Sequence, residues 1–384
     1  MLLALGGCQS PEIETELAIE GEIINEFVPP PTQIDRTSQN TSMQKADDRL
    51  LENPSDGVRL AYTSLSDEGI DIFVVDDSGE HQRMSDRRGV YYLPSWSPDG
   101  TKLAFLSLYP AEELIGLWLC TDSSTPDSCS EILYGLLAIQ AMSWTSDSKH
   151  ILFSDVQEDG VELDVYSVDI ESGLVTNLTS DSPIWDSSPF ASPTNDLVAF
   201  VSDRAEGGKA TDEIWIMRSD GSDLEQLTYN HEYFWEDIDP VFSPDGMKIA
   251  FYRVGLMGGE YPGGIPGLWV IDLPTRTERL IYENEGALFS APPTWSPDGQ
   301  SIAMNIGQME DMDLAIISLD SGDAVIVEEI EGSVADYAWS NDSEWILITT
   351  QVDETFSLSL VSRNGQIQSE VETNGYGAYG RYSP

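Results

Sequence analysis

The sequence predicts an all-β fold, a seven-bladed β-propeller built from four-stranded antiparallel blades. Three observations carry this reading. Gly, Pro, Asp and Ser recur throughout the 384 residues, punctuating many short strands with turns. A turn-plus-strand motif returns at intervals of 44 to 53 residues. Two further strand-like segments follow each copy. A period of that length with four strands per unit is that of a propeller blade.

The motif is plainest in WSPDGTKLAF, FSPDGMKIAF and WSPDGQSIAM, and WTSDSKHILF, ASPTNDLVAF and WSNDSEWILI keep its phase. Its anchors are Ser97, Thr145, Ser192, Ser243, Ser296 and Ser340, separated by 48, 47, 51, 53 and 44 residues. In Ser-Pro-Asp-Gly, Pro presets φ at the second turn position, Asp suits the third, and Gly supplies the left-handed conformation after it. Asn195 is expected to replace that Gly by tolerating positive φ, with Ser148 and Ser343 as poorer substitutes. The strand that follows alternates, Leu103 and Phe105 to one side, Lys102 and Ala104 to the other. A small Ala at the crowded position suits sheets packed face to face. Trp96, Trp144, Trp295 and Trp339 belong to the motif and are assigned to the core.

The second recurring segment is an apolar strand ending in a turn: DIFVVDDSG, LDVYSVDIESG, EIWIMRSDG, GLWVIDLPT, LAIISLDSG and LSLVSRNG. The third often ends in Leu-Thr, as in LVTNLTSD and LEQLTYN. Second-strand copies start near 58, 101, 149, 196, 247, 300 and 344, so seven blades is the count.

Over residues 54–384 these units resemble the TolB-type β-propeller repeat, shared with the propellers of prolyl-oligopeptidase-like enzymes. The resemblance is expected to cover the repeat alone. Residues 9–53 are not expected to stand in for the α/β domain that precedes the propeller in that family, and no hydrolase domain is expected after it. In the family Trp-Ser-Pro ends the innermost strand of a blade, and the strand after Asp-Gly is the second. The segment NPSDGVRLAY at 53–62 has the second strand without an innermost one, while GAYGRYSP at 377–384 has the innermost strand alone. The resemblance therefore implies that the C-terminal strand joins the N-terminal blade, removing the open edge between first and last blades.

A net charge of −50 with 18 Lys and Arg argues against nucleic acid and against anionic lipid, both of which need cations. It fits a saline or extracellular setting, and would attract cations or a basic partner. Leu5-Gly6-Gly7-Cys8 resembles the bacterial lipobox, so residues 1–8 are expected to be a signal-peptide remnant with Cys8 as the lipidated residue. The departure is upstream: seven residues precede Cys8 and none is basic, which leaves either a start inside the signal peptide or a chance match. Residues 9–53 are acidic, carry Pro29-Pro30-Pro31 and lack sustained periodicity; they are expected to form a flexible tether reaching roughly 35–40 Å. Cys120 and Cys129 flank the loop TDSSTPDS, so they are expected either to pair as a disulfide, which needs an oxidising compartment, or to remain two loop thiols. The expected location is extracytoplasmic, anchored to the bacterial cell envelope by lipid on Cys8.

The search for catalytic motifs finds no Gly-x-Ser-x-Gly elbow, no HExxH and no EF-hand loop, and Gly208-Lys209 is followed by Ala210 rather than the Ser or Thr of a phosphate loop. His81, His150 and His231 are too scattered to form a metal cluster by spacing. No cofactor is expected, with Ca²⁺ kept as a candidate ion, and the chain is expected not to be an enzyme. The Ser-Pro-Asp-Gly turns and the third-to-fourth-strand turns share one face of the ring, which reads as structural. The second-to-third and blade-to-blade loops share the other, and such loops above a rigid scaffold carry binding residues. The richest loops enter and cross blades four and five: SDSPIWDSSP, SDRAEGGKATDE, YNHEYFWEDIDP and RVGLMGGEYPGGIPG. They make Trp185, Asp186, Arg204, His231, Tyr233, Trp235, Glu236, Asp237, Asp239, Arg253 and Tyr261 the candidate ligand-binding residues. Against this stands a structural reading, in which Trp185 and Trp235 wedge between blades and the acids cap turns. Aromatics interspersed with carboxylates suit a peptide, a sugar or a cation-bearing ligand. The expected function is a monomeric binding scaffold for a protein, peptide or envelope polysaccharide. The alternative is a carbohydrate-active or metal-assisted enzyme, or a carbohydrate-binding protein, with its site at the channel mouth.

Overall fold

A computed structural model describes residues 59–382 except 67–68, 77–79, 87–88, 123, 140, 157–161, 181–184, 205–210, 230–234, 256–264, 285–290, 309–310, 328–329, 353–354 and 374–379. Seven four-stranded antiparallel sheets follow one another along the chain. Blade one contains β1 (Leu60–Ser66), β2 (Gly69–Val75) and β3 (His81–Arg83); blade two β4 (Val90–Trp96), β5 (Leu103–Tyr109), β6 (Leu114–Cys120) and β7 (Cys129–Leu136). Blade three has β8 (Met142–Trp144), β9 (His150–Val156), β10 (Leu163–Asp169) and β11 (Val175–Asn177). Blade four has β12 (Asp186–Ala191), β13 (Leu197–Ser202), β14 (Glu213–Arg218) and β15 (Glu225–Gln226); blade five β16 (Trp235–Phe242), β17 (Lys248–Gly255), β18 (Gly267–Asp272) and β19 (Thr277–Glu283). Blade six has β20 (Thr294–Trp295), β21 (Ser301–Gln308), β22 (Asp311–Ser318) and β23 (Ala324–Ile326), and blade seven β24 (Ser333–Trp339), β25 (Trp345–Val352), β26 (Thr355–Ser362) and β27 (Ile367–Thr373). The final strand, β28 (Gly380–Tyr382), pairs with β1 and completes blade one, with Leu60 opposite Tyr382. The ring is thus closed by the two chain ends.

The turn motif works through its Ser more than its Pro. Ser97 Oγ donates to Asp99 (2.6 Å) and accepts the Lys102 amide (3.0 Å), so one hydroxyl clamps both ends of the turn. Thr145, Ser243, Ser296 and Ser340 repeat the arrangement with Asp147, Asp245, Asp298 and Asp342. Gly100, Gly246 and Gly299 lie at φ 67–69°, as the turn requires. Ser148 (58°) and Ser343 (64°) take the same conformation, and their hydroxyls accept the amides of Asp99 and Asp298 in the preceding blade. Asn195 corrects the expectation: it is not left-handed, and its side chain instead accepts the Leu197 amide. The Pro-Thr-Asn-Asp turn, closed over the same span from Ser192 to Leu197, is held by that side-chain bond rather than by backbone inversion.

Blades are joined by size matching. Trp144 shares a buried cluster with Ala104 of the preceding blade, as do Trp295 with Ala250, Trp339 with Ala303 and Trp96 with Ala61. Three of these indoles also donate to the preceding innermost strand, at Ser95, Val241 and Thr294. At the seam between blades three and four the sizes are exchanged, Leu152 meeting Ala191. The motif aromatics Phe105, Phe153, Phe200 and Phe251 are fully buried between sheets, each contributing about 1.5–3 kcal/mol. Cys120 and Cys129, opposite one another on β6 and β7, form a disulfide beside this core.

Candidate ligand-binding face

Much of the acidity is absorbed inside the blades. In blade four, Asp186 lies fully buried on β12 and Arg204 reaches it from just beyond the end of β13 (Nη2–Oδ2 2.5 Å). The guanidinium also donates to Ser202 (2.9 Å) and covers the rings of Phe200 and Trp215. Burial pushes the Asp186 carboxyl up, against the lowering pull of Ser202 and Arg204. Blade five repeats the device. Arg253 grips Asp237 with both nitrogens (2.7 and 2.8 Å), takes Glu278 as a third contact (2.8 Å) and lies 4.4 Å over Trp269. A buried pair of this kind is strongly destabilised when one partner is removed, because the other charge is left unpaired.

The recurrent Leu-Thr, singled out by sequence but given no role there, has one in the structure. Thr228 donates to the buried Glu213 (2.7 Å) and accepts the Ile214 amide (2.9 Å). Thr179 does the same for Asp164 and Val165, and Ser85 for Asp71 and Ile72. Each hydroxyl joins the fourth strand to a buried acid at the start of the third.

A second set of acids is not absorbed. The β13–β14 ladder ends at the pair Ser202–Glu213, and Asp203 and Asp212 are the residues just beyond it, near enough for the Asp203 charge to act on Asp212. Glu236 comes from β16, whose Asp237 amide donates to the Asp212 carbonyl (2.8 Å). Burial, the Glu236 charge and then the Asp203 charge push Asp212 up to about 7. Burial also raises Asp203 and Glu236. Like charges so placed repel one another. Trp185 stands beside them, 59% exposed, tied to Asp203 by its own amide (3.2 Å to Oδ1) and by its carbonyl, which accepts the Asp203 amide (3.4 Å).

The sequence-predicted residues therefore divide. Trp185 and Glu236 are brought to one seam on the loop face. Asp186 with Arg204, and Asp237 with Arg253, meet each other inside their blades. Trp235 is buried at 5% exposure. Asp239 stands apart, half-buried on the innermost strand of blade five. His231, Tyr233 and Tyr261, and Cys8, lie outside the described residues. Sequence reasoning passed over Asp203, Asp212 and Glu278. The first two were visible only as acids at either end of SDRAEGGKATDE; nothing in the sequence marks Glu278. Among the described residues, no group of three or more His, Cys, Asp and Glu is arranged to hold a metal ion.

No family model matches the sequence. An uncharacterized protein from Agrobacterium fabrum is 28% identical over 257 residues, covering 56% of this chain and 84% of that protein. An uncharacterized peptidase from Bacillus subtilis is 30% identical over 139 residues, 36% of this chain and 21% of the peptidase. Among solved structures, TolB from Acinetobacter baumannii superposes with a TM-score of 0.52 at 18% identity, over 87% of this chain and 69% of TolB. An oligogalacturonate lyase from Vibrio parahaemolyticus gives 0.60 at 13%, over 76% and 83% of the two chains. A puromycin hydrolase gives 0.61 at 13%, over 85% and 53%. The chain resembles the TolB-type β-propeller. The expectation that it is not an enzyme is corrected by these likenesses. A lyase and a hydrolase superpose on this propeller and a protein named as a peptidase matches part of its sequence, so the lack of a catalytic motif does not place catalysis outside this fold.

Proposed function

We propose that this TolB-like propeller binds a protein or peptide partner through a basic segment, received on the loop face at the seam between blades four and five. The observation that supports the reading is the convergence of Asp203, Asp212 and Glu236 beside the exposed Trp185. The Glu236 and Asp203 charges both raise Asp212, and a lysine or arginine placed among the three relieves that repulsion. The exposed indole adds an aromatic face for a cation, worth about 0.5–1 kcal/mol at an open site. Of the cations described in these two blades, Arg204 is paired with Asp186 and Arg253 with Asp237 and Glu278. Asp212 and Glu236 have no arginine or lysine partner among the described residues, and this reading gives them to the ligand.

The setting proposed is extracytoplasmic, supported by the Cys120–Cys129 disulfide, with attachment through lipid on Cys8. Fluorescence anisotropy with a labelled oligolysine peptide tests the binding reading. Saturable binding that weakens with salt and is lost in the Asp203→Asn/Asp212→Asn/Glu236→Gln variant is expected. Binding indifferent to that variant, or a preference for an anionic oligosaccharide over the basic peptide, overturns it.

A further inference from the structure

One ladder position divides the blades by chemistry. Opposite Ser64, Asp155 and Ser202 the third strand carries an acid: Asp71, Asp164 and Glu213. Blades two and five carry glycine there instead, Gly116 opposite Ser107 and Gly267 opposite Arg253. In both, the sequence continues Leu-Trp, and a glutamate comes from the fourth strand, Glu131 on β7 and Glu278 on β19. Blade five shows what this arrangement holds. Arg253 donates to Glu278 (2.8 Å), pairs with Asp237 and lies 4.4 Å over Trp269.

Blade two keeps the tryptophan and the glutamate but not the arginine. Ser107 stands at the ladder place of Arg253, and Tyr91 at that of Asp237. Trp118 donates its indole N–H to Ser107 (3.1 Å), and the buried Tyr91 ring meets it edge-on at 5.7 Å. Glu131 is left without the cation. Its carboxylate lies across Gly116, in the space that any Cβ there would need. One oxygen, Oε1, accepts the Tyr109 hydroxyl (2.8 Å), while Oε2 has no hydrogen bond and no ion pair among the described residues. Tyr134, opposite Gly116 in the ladder, meets Tyr109 edge to face at 5.4 Å and is 56% exposed.

The outer edge of blade two therefore presents a half-buried carboxylate, one oxygen still unused, beside an open aromatic ring. A guanidinium suits both, because it is planar and weakly hydrated, stacks on aromatic faces and donates N–H to carboxylates. We propose that Glu131 and Tyr134 receive an arginine side chain carried by a peptide or protein ligand, which supplies from outside the cation that blade five has built in. Tyr109 and Gly116 position the carboxylate. The inference shares no residue with the seam between blades four and five and does not depend on that reading.

The probe is the tripeptide acetyl-Gly-Arg-Gly-amide, titrated into protein carrying ¹³C-labelled tyrosine rings, with the resonances of Tyr109 and Tyr134 followed by NMR. A saturable shift of both rings is expected. Affinity is expected to weaken about tenfold or more in Glu131→Gln and about threefold in Tyr134→Ala, read at Tyr109. It is expected to stay within about twofold of wild type in the Asp203→Asn/Asp212→Asn/Glu236→Gln variant. Gln still accepts the Tyr109 hydroxyl, so Glu131→Gln is expected to fold, and its thermal transition checks that it does. The citrulline tripeptide keeps the shape of arginine without its charge and is expected not to bind. The absence of a saturable shift overturns the proposal, as does equal binding of the citrulline tripeptide or affinity unchanged in Glu131→Gln. Loss of the arginine shift in the seam variant alone overturns it too, and assigns the arginine to the seam. Oligolysine binding that ignores the seam variant, with the arginine shift lost in Glu131→Gln, refutes the seam reading and leaves this one standing.

Discussion

Leu60 lies directly opposite Tyr382 in an antiparallel ladder that also pairs Ala61 with Arg381 and Tyr62 with Gly380. About 320 residues of chain separate partners that share one sheet. Three residue pairs complete blade one, and with it the ring. Deleting 380–384 exposes the inner edge of β1. Amide exchange in β1 and β2 is expected to accelerate at least tenfold, about 1.4 kcal/mol of lost protection, while β13 and β14 change less. Uniform protection across all blades in the truncated protein refutes this role for the strand.

The exchange of sizes between Leu152 and Ala191 makes a second expectation. Leu152→Ala leaves a cavity against blade four and is expected to destabilise by about 2–4 kcal/mol. Adding Ala191→Trp in that background restores the pattern found at the other seams and recovers part of the loss. Denaturant unfolding of the two singles and the double closes the cycle, and strictly additive effects contradict size matching.

Gly246 and Gly299 share a left-handed φ of 68–69°, yet their surroundings differ. A Cβ on Gly246 would lie 2.1 Å from Thr194 Oγ1 in the neighbouring blade, whereas on Gly299 its nearest approach is 3.9 Å, to Pro244. Both Ala substitutions incur about 1 kcal/mol for the backbone. Gly246→Ala is expected to lose about 1–2 kcal/mol more, because the neighbouring turn must move. Thermal denaturation ranks them.

Asp212 at about 7 and Asp239 at about 6 both sit above the unfolded carboxylate value of about 3.9. Between about pH 4 and 7 the folded state therefore binds more protons than the unfolded one. Stability is full below the unfolded value and is lost as pH rises through the folded ones. Acidification from pH 8 to 5 is expected to stabilise the protein by on the order of 1–3 kcal/mol. Asp212→Asn flattens that slope and raises stability at pH 8. A melting temperature that falls steadily from pH 8 to 5 contradicts the assignment.

Cys120 is wholly buried and bonded across the ladder to Cys129, nine residues on. Removing the cross-link by Cys120→Ser/Cys129→Ser releases a short loop and is expected to destabilise by about 2–3 kcal/mol. Reductant is expected to lower the melting temperature of wild type and not of the variant.

Blade number, turn positions and the partnership of the chain ends were all legible in the sequence, because each rests on local backbone chemistry repeated in phase. Ser, Asp and Gly at fixed offsets specify a turn wherever they occur, and seven copies make a ring of seven. Even the Leu-Thr recurrence was visible as a pattern. What its hydroxyl does was not, since Thr228 and Glu213 come together only after β14 and β15 pair. Asn195 misled for a related reason: its side chain had a backbone amide within reach, which removed the need for inversion. The candidate site residues split on tertiary grounds as well. Asp186 and Asp237 found arginines on the adjacent strand, while Asp212, Glu236 and Asp239, drawn from the same acidic composition, did not. Periodicity reports which way a side chain leaves its own strand. Whether a charge meets a partner depends on what the next strand and the next blade place opposite it, and that was decided only by closing the ring.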